Sequence, residues 1–289
     1  PHWNNAIVHL DCQDNNLIVG GHFQMEENMT PTLYLDDEVL TDMSHVAPSY
    51  QAWVGLLATF DTSGTEKWKR VWLGEIWGEY AYGTKMPDMD IDPEGNIYCL
   101  VAAPCVKTKL DTGWITPKVF TATKIAKFSP GGYLQWLTEP RVNRPGKYQA
   151  IIWPNLYVDS FGNSYYSFNI PSDLIDISLD SIKYELATKS NYWGMFKIDT
   201  EGKGVDGFFP PPPQKWNHAT IINACKTTHV GNDGTVHLPF YIGLTTDLDL
   251  IWDNDTFDLD YDSNAGYYLF STFFSWAEAT PKSQLIKEV

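Results

Sequence analysis

Residues Asp88–Val101 read DMDIDPEGNIYCLV, two short alternating apolar runs flanking Pro93-Glu94-Gly95-Asn96. Proline presets φ at the first turn position, and glycine supplies a positive φ two residues later. Aspartate and asparagine at the ends bond back to the turn backbone, so the stretch reads as a tight β-hairpin. The hairpin recurs. Asn155–Tyr166 repeats it with a turn at Asp159–Gly162, His229–His237 repeats it with a turn at Asn232–Gly234, and Leu10–Val19 is a glycine-free copy.

A second hairpin alternates with the first. Trp53–Trp68 is a strand, a turn at Asp61–Gly64 and a strand ending in tryptophan. Thr123–Trp136 repeats it, Trp193–Val205 repeats it without the terminal tryptophan, and Tyr268–Glu278 is a degenerate fourth copy with no clear turn. Phe60, Phe128 and Phe196 stand 68 residues apart, and Asn96 and Asn163 stand 67 apart. A fixed period on this scale marks a repeat architecture.

Between the two hairpins lie irregular insertions, Gln24–Gln51, Ala103–Thr121, Ile170–Asn191 and Leu244–Ala265. They contain strand-like pieces such as Thr32–Leu35 and Leu174–Leu179, which form either an extra hairpin or long loops. Four core strands in each unit of ~70 residues suit a β-propeller, whose blades bury their faces only against one another. The expectation is therefore an all-β chain forming one β-propeller domain over residues 1–289. Its blades span about 1–82, 83–148, 149–216 and 217–289, with Asn4, Met86, Ile151 and Ala219 near their starts. Four such units either close as a small ring or belong to a larger one. The start at Pro1 reads as a mature form or as part of a longer polypeptide.

Composition narrows the function classes. A formal charge of −16 and a pI near 4.7 argue against a nucleic-acid partner, which needs basic patches. No apolar run approaches the ~18–20 residues of a membrane helix, so no transmembrane segment is expected. Aromatic residues make up 15% of the chain, a content that suits strands and flat binding surfaces. Trp77, Tyr80 and Tyr82 are the aromatics that could stack on a sugar, although packing between blade loops is the commoner fate of such residues. Pro210–Pro213 reads as a stiff polyproline spacer between the third and fourth units.

The pattern resembles the bacterial β-propeller repeat family, the SBBP-like repeats. Its Val-Asp-x-x-Gly-Asn-x-Tyr segment matches Asp92, Gly95, Asn96 and Tyr98, its Gly-x-Phe stretch matches Gly21 and Phe23, and its Phe-x-Asp-x-x-Gly-x-x-x-Trp segment matches Phe60, Asp61, Gly64 and Trp68. The resemblance covers the whole chain in four units, with a longer repeat than the family's and an eroded last unit. It implies a non-catalytic binding or scaffolding module of a bacterial cell-surface or secreted protein, a component of a larger envelope complex, with a protein partner or a surface glycan. The tryptophan-ended hairpins also resemble the blade-docking motif of pyrroloquinoline-quinone propellers, and Trp68 and Trp136 are read as inter-blade packing.

Chemistry-bearing residues are sparse. Asp247–Asn264 alternates acidic groups with apolar ones, and Asp258, Asp260, Asp262 and Asn264 are candidate calcium ligands. On an extended strand the same carboxylates would point to solvent and protect a sheet edge, and no cofactor would then be expected. The seven histidines form no close sequence pair, although His9 and His22 could face each other across the first hairpin. Cys12, Cys99, Cys105 and Cys225 lack metal spacing and read as buried free thiols, a Cys99–Cys105 bridge being the alternative. No nucleophile elbow or phosphate loop is present in the sequence. The alternative function is a carbohydrate-active enzyme, a glycoside hydrolase or lyase, with carboxylates on one face of the ring.

Overall fold

A computed structural model describes residues 4–13, 15–25, 32–35, 38–42, 52–75, 88–103, 107–110, 113–115, 122–143, 152–170, 176–185, 192–209, 219–222, 229–231, 235–244, 248–252, 255–259, 268–275 and 284–288. Every regular element among them is a β-strand, and all the registered pairings are antiparallel. The chain divides into two units, residues 1–141 with 148–150, and residues 142–147 with 151–289.

In the first unit, β1 (Asn4–Gln13) and β2 (Asn16–Met25) form the first hairpin, and β3 (Thr32–Leu35) and β4 (Glu38–Asp42) pair separately within the insertion. β5 (Ala52–Asp61) and β6 (Glu66–Glu75) then complete a meander in the order β1-β2-β5-β6. The second repeat follows the same plan. β7 (Met89–Ile91), β8 (Ile97–Ala103), β11 (Ala122–Phe128) and β12 (Leu134–Thr138) form a four-stranded meander, with β9 (Lys107–Leu110) and β10 (Gly113–Ile115) as the inserted hairpin. That hairpin does not join its own sheet. Lys107–Lys109 pair with Leu73–Glu75, so the second repeat's insertion extends the first repeat's sheet.

The second unit has the same order. β13 (Arg141–Asn143), one 68-residue period after Leu73–Glu75, heads a three-stranded sheet with β16 (Asp176–Leu179) and β17 (Ile182–Glu185). β14 (Ile152–Val158), β15 (Ser164–Ile170), β18 (Tyr192–Ile198) and β19 (Gly204–Phe208) form the third meander. Pro154 falls in edge strand β14, where the register slips between Ile152 and Asn155, a place that tolerates a residue without an N–H.

The fourth sheet runs β20 (Ala219–Ile222), β22 (Thr235–Leu244), β25 (Tyr268–Ser275), β26 (Gln284–Glu288), with β21 (His229–Val230) also on β22. Pairing of β20 ends at Tyr241 and that of β21 resumes at His237, so the break brackets Pro239, which cannot donate to a ladder. Its insertion is the hairpin β23 (Leu248–Trp252) and β24 (Asp255–Leu259). All four insertions thus contain a hairpin. The first core strands of the four sheets start at Asn4, Met89, Ile152 and Ala219.

The turns explain the repeat. Gly64, Gly95, Gly132, Gly162 and Gly202 all have φ between 77° and 84°. Each donates its N–H to the carbonyl three residues back, at 2.8–3.1 Å, closing a three-residue loop. Aligning the second hairpins on these glycines corrects the sequence period. Ile198, not Phe196, occupies the place of Phe60 and Phe128, because the third turn begins at Asp199, 70 residues after Ser129. The matching ladders pair Phe128 with Ile97 and Ile198 with Ser164, whereas Phe196 pairs with Tyr166.

Core packing follows the sheets. Ile18, Leu57 and Trp72 from the first sheet bury against Met89, Ile97, Cys99, Val101, Ala126 and Phe128 from the second. The Trp72 and Phe128 ring centroids are 5.8 Å apart. In the second unit Phe168 lies 5.0 Å from Tyr166 and 5.6 Å from Phe196, while Tyr184 of the inserted hairpin stacks on Phe209 at 4.1 Å.

Candidate functional site

The signature residues of the first hairpin form a closed polar box. Asp92, buried at its turn, accepts the Asn96 backbone N–H at 2.8 Å on Oδ1, and on Oδ2 the Asn96 Nδ2 at 2.8 Å and the Tyr98 hydroxyl at 3.0 Å. Lys127, cross-strand partner of Tyr98, brings its ammonium to 3.7 Å from Asp92 and 4.8 Å from the Tyr98 ring centroid. One repeat later Asp159 accepts Asn163 Nδ2 at 2.8 Å and the Tyr165 hydroxyl at 2.9 Å, and Lys197 sits over the Tyr165 ring at 5.6 Å. Burial, and then the Asp159 charge and hydrogen bond, raise the Tyr165 phenol above its ordinary range. These carboxylates are occupied with holding turns. Asp61 and Asp199 do the same with fewer partners, accepting the amides of Ser63 and Thr65, and of Glu201 and Lys203.

The tryptophan of the second hairpin docks one sheet on the next. Trp68 Nε1 donates to the Pro130 carbonyl at 2.8 Å, and its ring lies against Gly132, where a Cβ would stand 2.5 Å from Trp68 Cδ2. Arg70 Nε donates to the Gly132 carbonyl at 3.0 Å, and Gln13 Nε2 donates to the carbonyls of Asp92 at 2.9 Å and Pro93 at 3.0 Å. Three side chains of the first repeat therefore satisfy carbonyls in both turns of the second. Trp136 instead lies edge-on against Tyr98 of its own sheet, with centroids 5.8 Å apart.

Around these contacts, at the end of the first unit that carries the tight turns, lies a cleft of about 330 Å³. Gln13, Asn16, Thr59 and Lys67 come to it from the first sheet, and Glu94 and Pro130 from the turns of the second. Ile18 and Ile97 supply apolar lining. Lys67 Nζ donates to Asn16 Oδ1, which holds the ammonium on the first wall. Thr59 is 3% exposed, and its Oγ1 has no hydrogen-bonding partner. The arrangement brings amide, ammonium and carboxylate groups to the cleft walls. Thr59, Gln13 and Lys67 carry no site signal in the sequence, and Glu94 reads there only as a turn residue of the first hairpin. The available signal was their position beside paired turns of successive repeats.

Among the described residues, those nominated from sequence are not brought together. His9 is in register with Gly20 and His22 with Ala6, so the two are not cross-strand partners. His229 and His237, unpaired in sequence, are in register across β21 and β22. Asp258 lies in strand β24 opposite Asp249, while Asp260, Asp262 and Asn264 lie outside the described residues. Among the described residues no group of three metal-ligating side chains occurs. Cys99 is a free, fully buried thiol whose pKa burial pushes far up, and Cys12 is free and exposed. Cys105, Cys225, Trp77, Tyr80, Tyr82 and the Pro210–Pro213 run lie outside the described residues, as does the turn at Asn232–Gly234. Among the described residues no helix is long and apolar enough to cross a membrane. The chain matches no protein-family model, and no curated protein is detectably similar to it.

Proposed function

We propose that the four repeats are blades of a β-propeller, and that this propeller is a non-catalytic binding or scaffolding module of a bacterial cell-surface or secreted assembly. The observation that carries the reading is the use made of the signature residues. Asp92, Asn96, Tyr98 and Lys127 brace a turn, and Trp68, Arg70 and Gln13 dock one sheet on the next. The repeat signature thus builds a frame, and the surface at the turn ends is where recognition is placed. The acidic chain suits a protein or glycan partner rather than nucleic acid.

The test is retention on immobilised bacterial cell-wall polysaccharides and envelope proteins, with mass spectrometry of the eluted material. Retention without change in the bound polymer supports the module. Cleavage of a polysaccharide that one carboxylate substitution abolishes would replace it with a carbohydrate-active enzyme. For the architecture, ring-shaped class averages in electron microscopy support the propeller, and an open array of sheets overturns it.

A further inference from the structure

We infer that Asp11 guards the open edge of the first sheet, by capping a backbone N–H through which a second copy of this chain would otherwise add its own β1. The geometry of the cap is clearest in the second sheet. Leu100 N–H donates to the Asp88 carbonyl at 2.9 Å and Asp92 N–H to the Asn96 carbonyl at 3.1 Å, so positions 88 and 92 turn their ladder groups toward β8. Met89 and Ile91 hold the alternate positions, and their N–H groups face away from the sheet. Each is taken by the side chain one residue back, Met89 by Asp88 Oδ1 at 3.1 Å and Ile91 by Asp90 Oδ1 at 2.8 Å.

The same contact recurs on two other edge strands. Gly207 N–H of β19 donates to Asp206 Oδ1 at 2.7 Å, and Cys12 N–H of β1 donates to Asp11 Oδ1 at 2.6 Å. Among the described residues, β1, β7 and β19 each pair on one side only. Sheet edges in this chain do take strands where no aspartate stands. Leu73–Glu75 of β6 accepts β9, and Arg141–Asn143 accepts β16.

The β1 edge is the one whose cap lies in the open. Asp11 and Cys12 are exposed, and Leu10 beside them is 62% exposed. The other caps are more enclosed: Asp88 is buried, and on β19 the Gly204 N–H goes to Asp180 of the inserted hairpin. An exposed apolar residue on a ten-residue edge strand invites a neighbour, and the outward N–H groups are what a neighbour must pair with. A second copy supplies the matching surface, because an edge that pairs with itself presents Leu10 and the outward groups of β1 from both sides. To form that pair each copy must first break its cap.

The experiment compares the full chain with Asp11→Asn, Asp11→Glu and Asp11→Ala, under reducing conditions because Cys12 is an exposed thiol. Asparagine keeps the acceptor and loses the charge. Glutamate keeps the charge, and its extra methylene carries the carboxylate past the neighbouring N–H. Alanine loses both. In dilute solution the Cys12 amide should exchange with solvent about tenfold faster in the alanine and glutamate variants, the worth of one hydrogen bond to a charged group. In sedimentation over a concentration series these two variants should dimerise about tenfold more tightly than the parent, which still has the cap to break. Their Cys12 amide should regain protection as the dimer forms. The asparagine variant should match the parent in both measurements.

Tighter dimers of the asparagine variant, with the glutamate variant unchanged, assign the effect to charge and overturn the inference. Unchanged Cys12 exchange in the alanine and glutamate variants overturns the cap itself. Faster exchange without tighter association, or association that leaves the Cys12 amide unprotected, shows that this edge is not what Asp11 guards, and overturns the inference as well.

Discussion

Gly132→Ala should be far more costly than the same change at Gly64, and Trp68 is the reason. Both glycines sit in equivalent turns with nearly equal backbone angles, φ +84° at Gly64 and +78° at Gly132. An L-residue in that region costs about 1–2 kcal/mol, and that is the whole expectation for Gly64→Ala, since a Cβ there meets nothing within 4 Å. At Gly132 a Cβ would lie 2.5 Å from Trp68 Cδ2 and 2.8 Å from Cε3. Overpacking of that kind adds about 1–3 kcal/mol, so Gly132→Ala should cost about 2–5 kcal/mol in all.

The clash vanishes if the indole is absent. Trp68→Ala alone loses the hydrogen bond to Pro130 and part of the packing, about 2–4 kcal/mol for a half-buried tryptophan. In the double variant Gly132→Ala should add only the backbone strain, leaving a coupling energy of about 1–3 kcal/mol between the two positions. Urea unfolding followed by circular dichroism on the four chains measures this. Additivity within about 0.5 kcal/mol, or equal losses at Gly64 and Gly132, would refute inter-sheet docking by Trp68.

Tyr165→Phe removes the hydroxyl that donates to buried Asp159 and should lower stability by about 1.5–3 kcal/mol in urea titrations, whereas Tyr133→Phe, on the surface, should cost nothing measurable. Asp61 is held below its ordinary pKa of 3.8, first by the Ser63 hydroxyl and then by the Thr65 amide, so the folded state holds the proton less tightly than the unfolded chain. Its contribution is therefore full above pH 3.8 and is lost as pH falls from there through the lowered folded value, and Asp61→Asn should flatten that part of the acid limb in melting curves taken between pH 5 and pH 2. Alkylation of the native chain followed by peptide mass mapping should modify Cys12 and spare Cys99 until the chain is denatured, because burial keeps the Cys99 thiol protonated and out of reach.

Turn chemistry made the frame readable. Pro93-Glu94-Gly95 and its relatives announce where strands reverse, and the spacing of those turns alone sets four core strands per repeat. Register was less readable. Phe196 matched the period of 68 residues, yet two extra residues before the third turn put Ile198 in that place, and an apolar residue at either position satisfies a buried strand equally. The pairing of β9 with β6 was hidden because hydrogen bonds between backbones leave no side-chain signature. Trp68 could be read as a packing residue from its type, but its seat on Gly132 depends on a turn 62 residues away. The cleft was the least legible feature. Thr59 looks like any strand threonine until two separate turns close over it.

The central claim is that the first two repeats pack their sheets against each other, with Trp68 of the repeat signature seated on a turn of the second. Nuclear Overhauser contacts in a chain with labelled tryptophan and phenylalanine rings test it most directly. Trp72 and Phe128, with centroids 5.8 Å apart, should give strong cross-peaks, and the Trp68 indole N–H, bonded to the Pro130 carbonyl, should be protected from exchange with solvent. Absence of the Trp72–Phe128 cross-peaks together with rapid exchange of the Trp68 indole proton would contradict it.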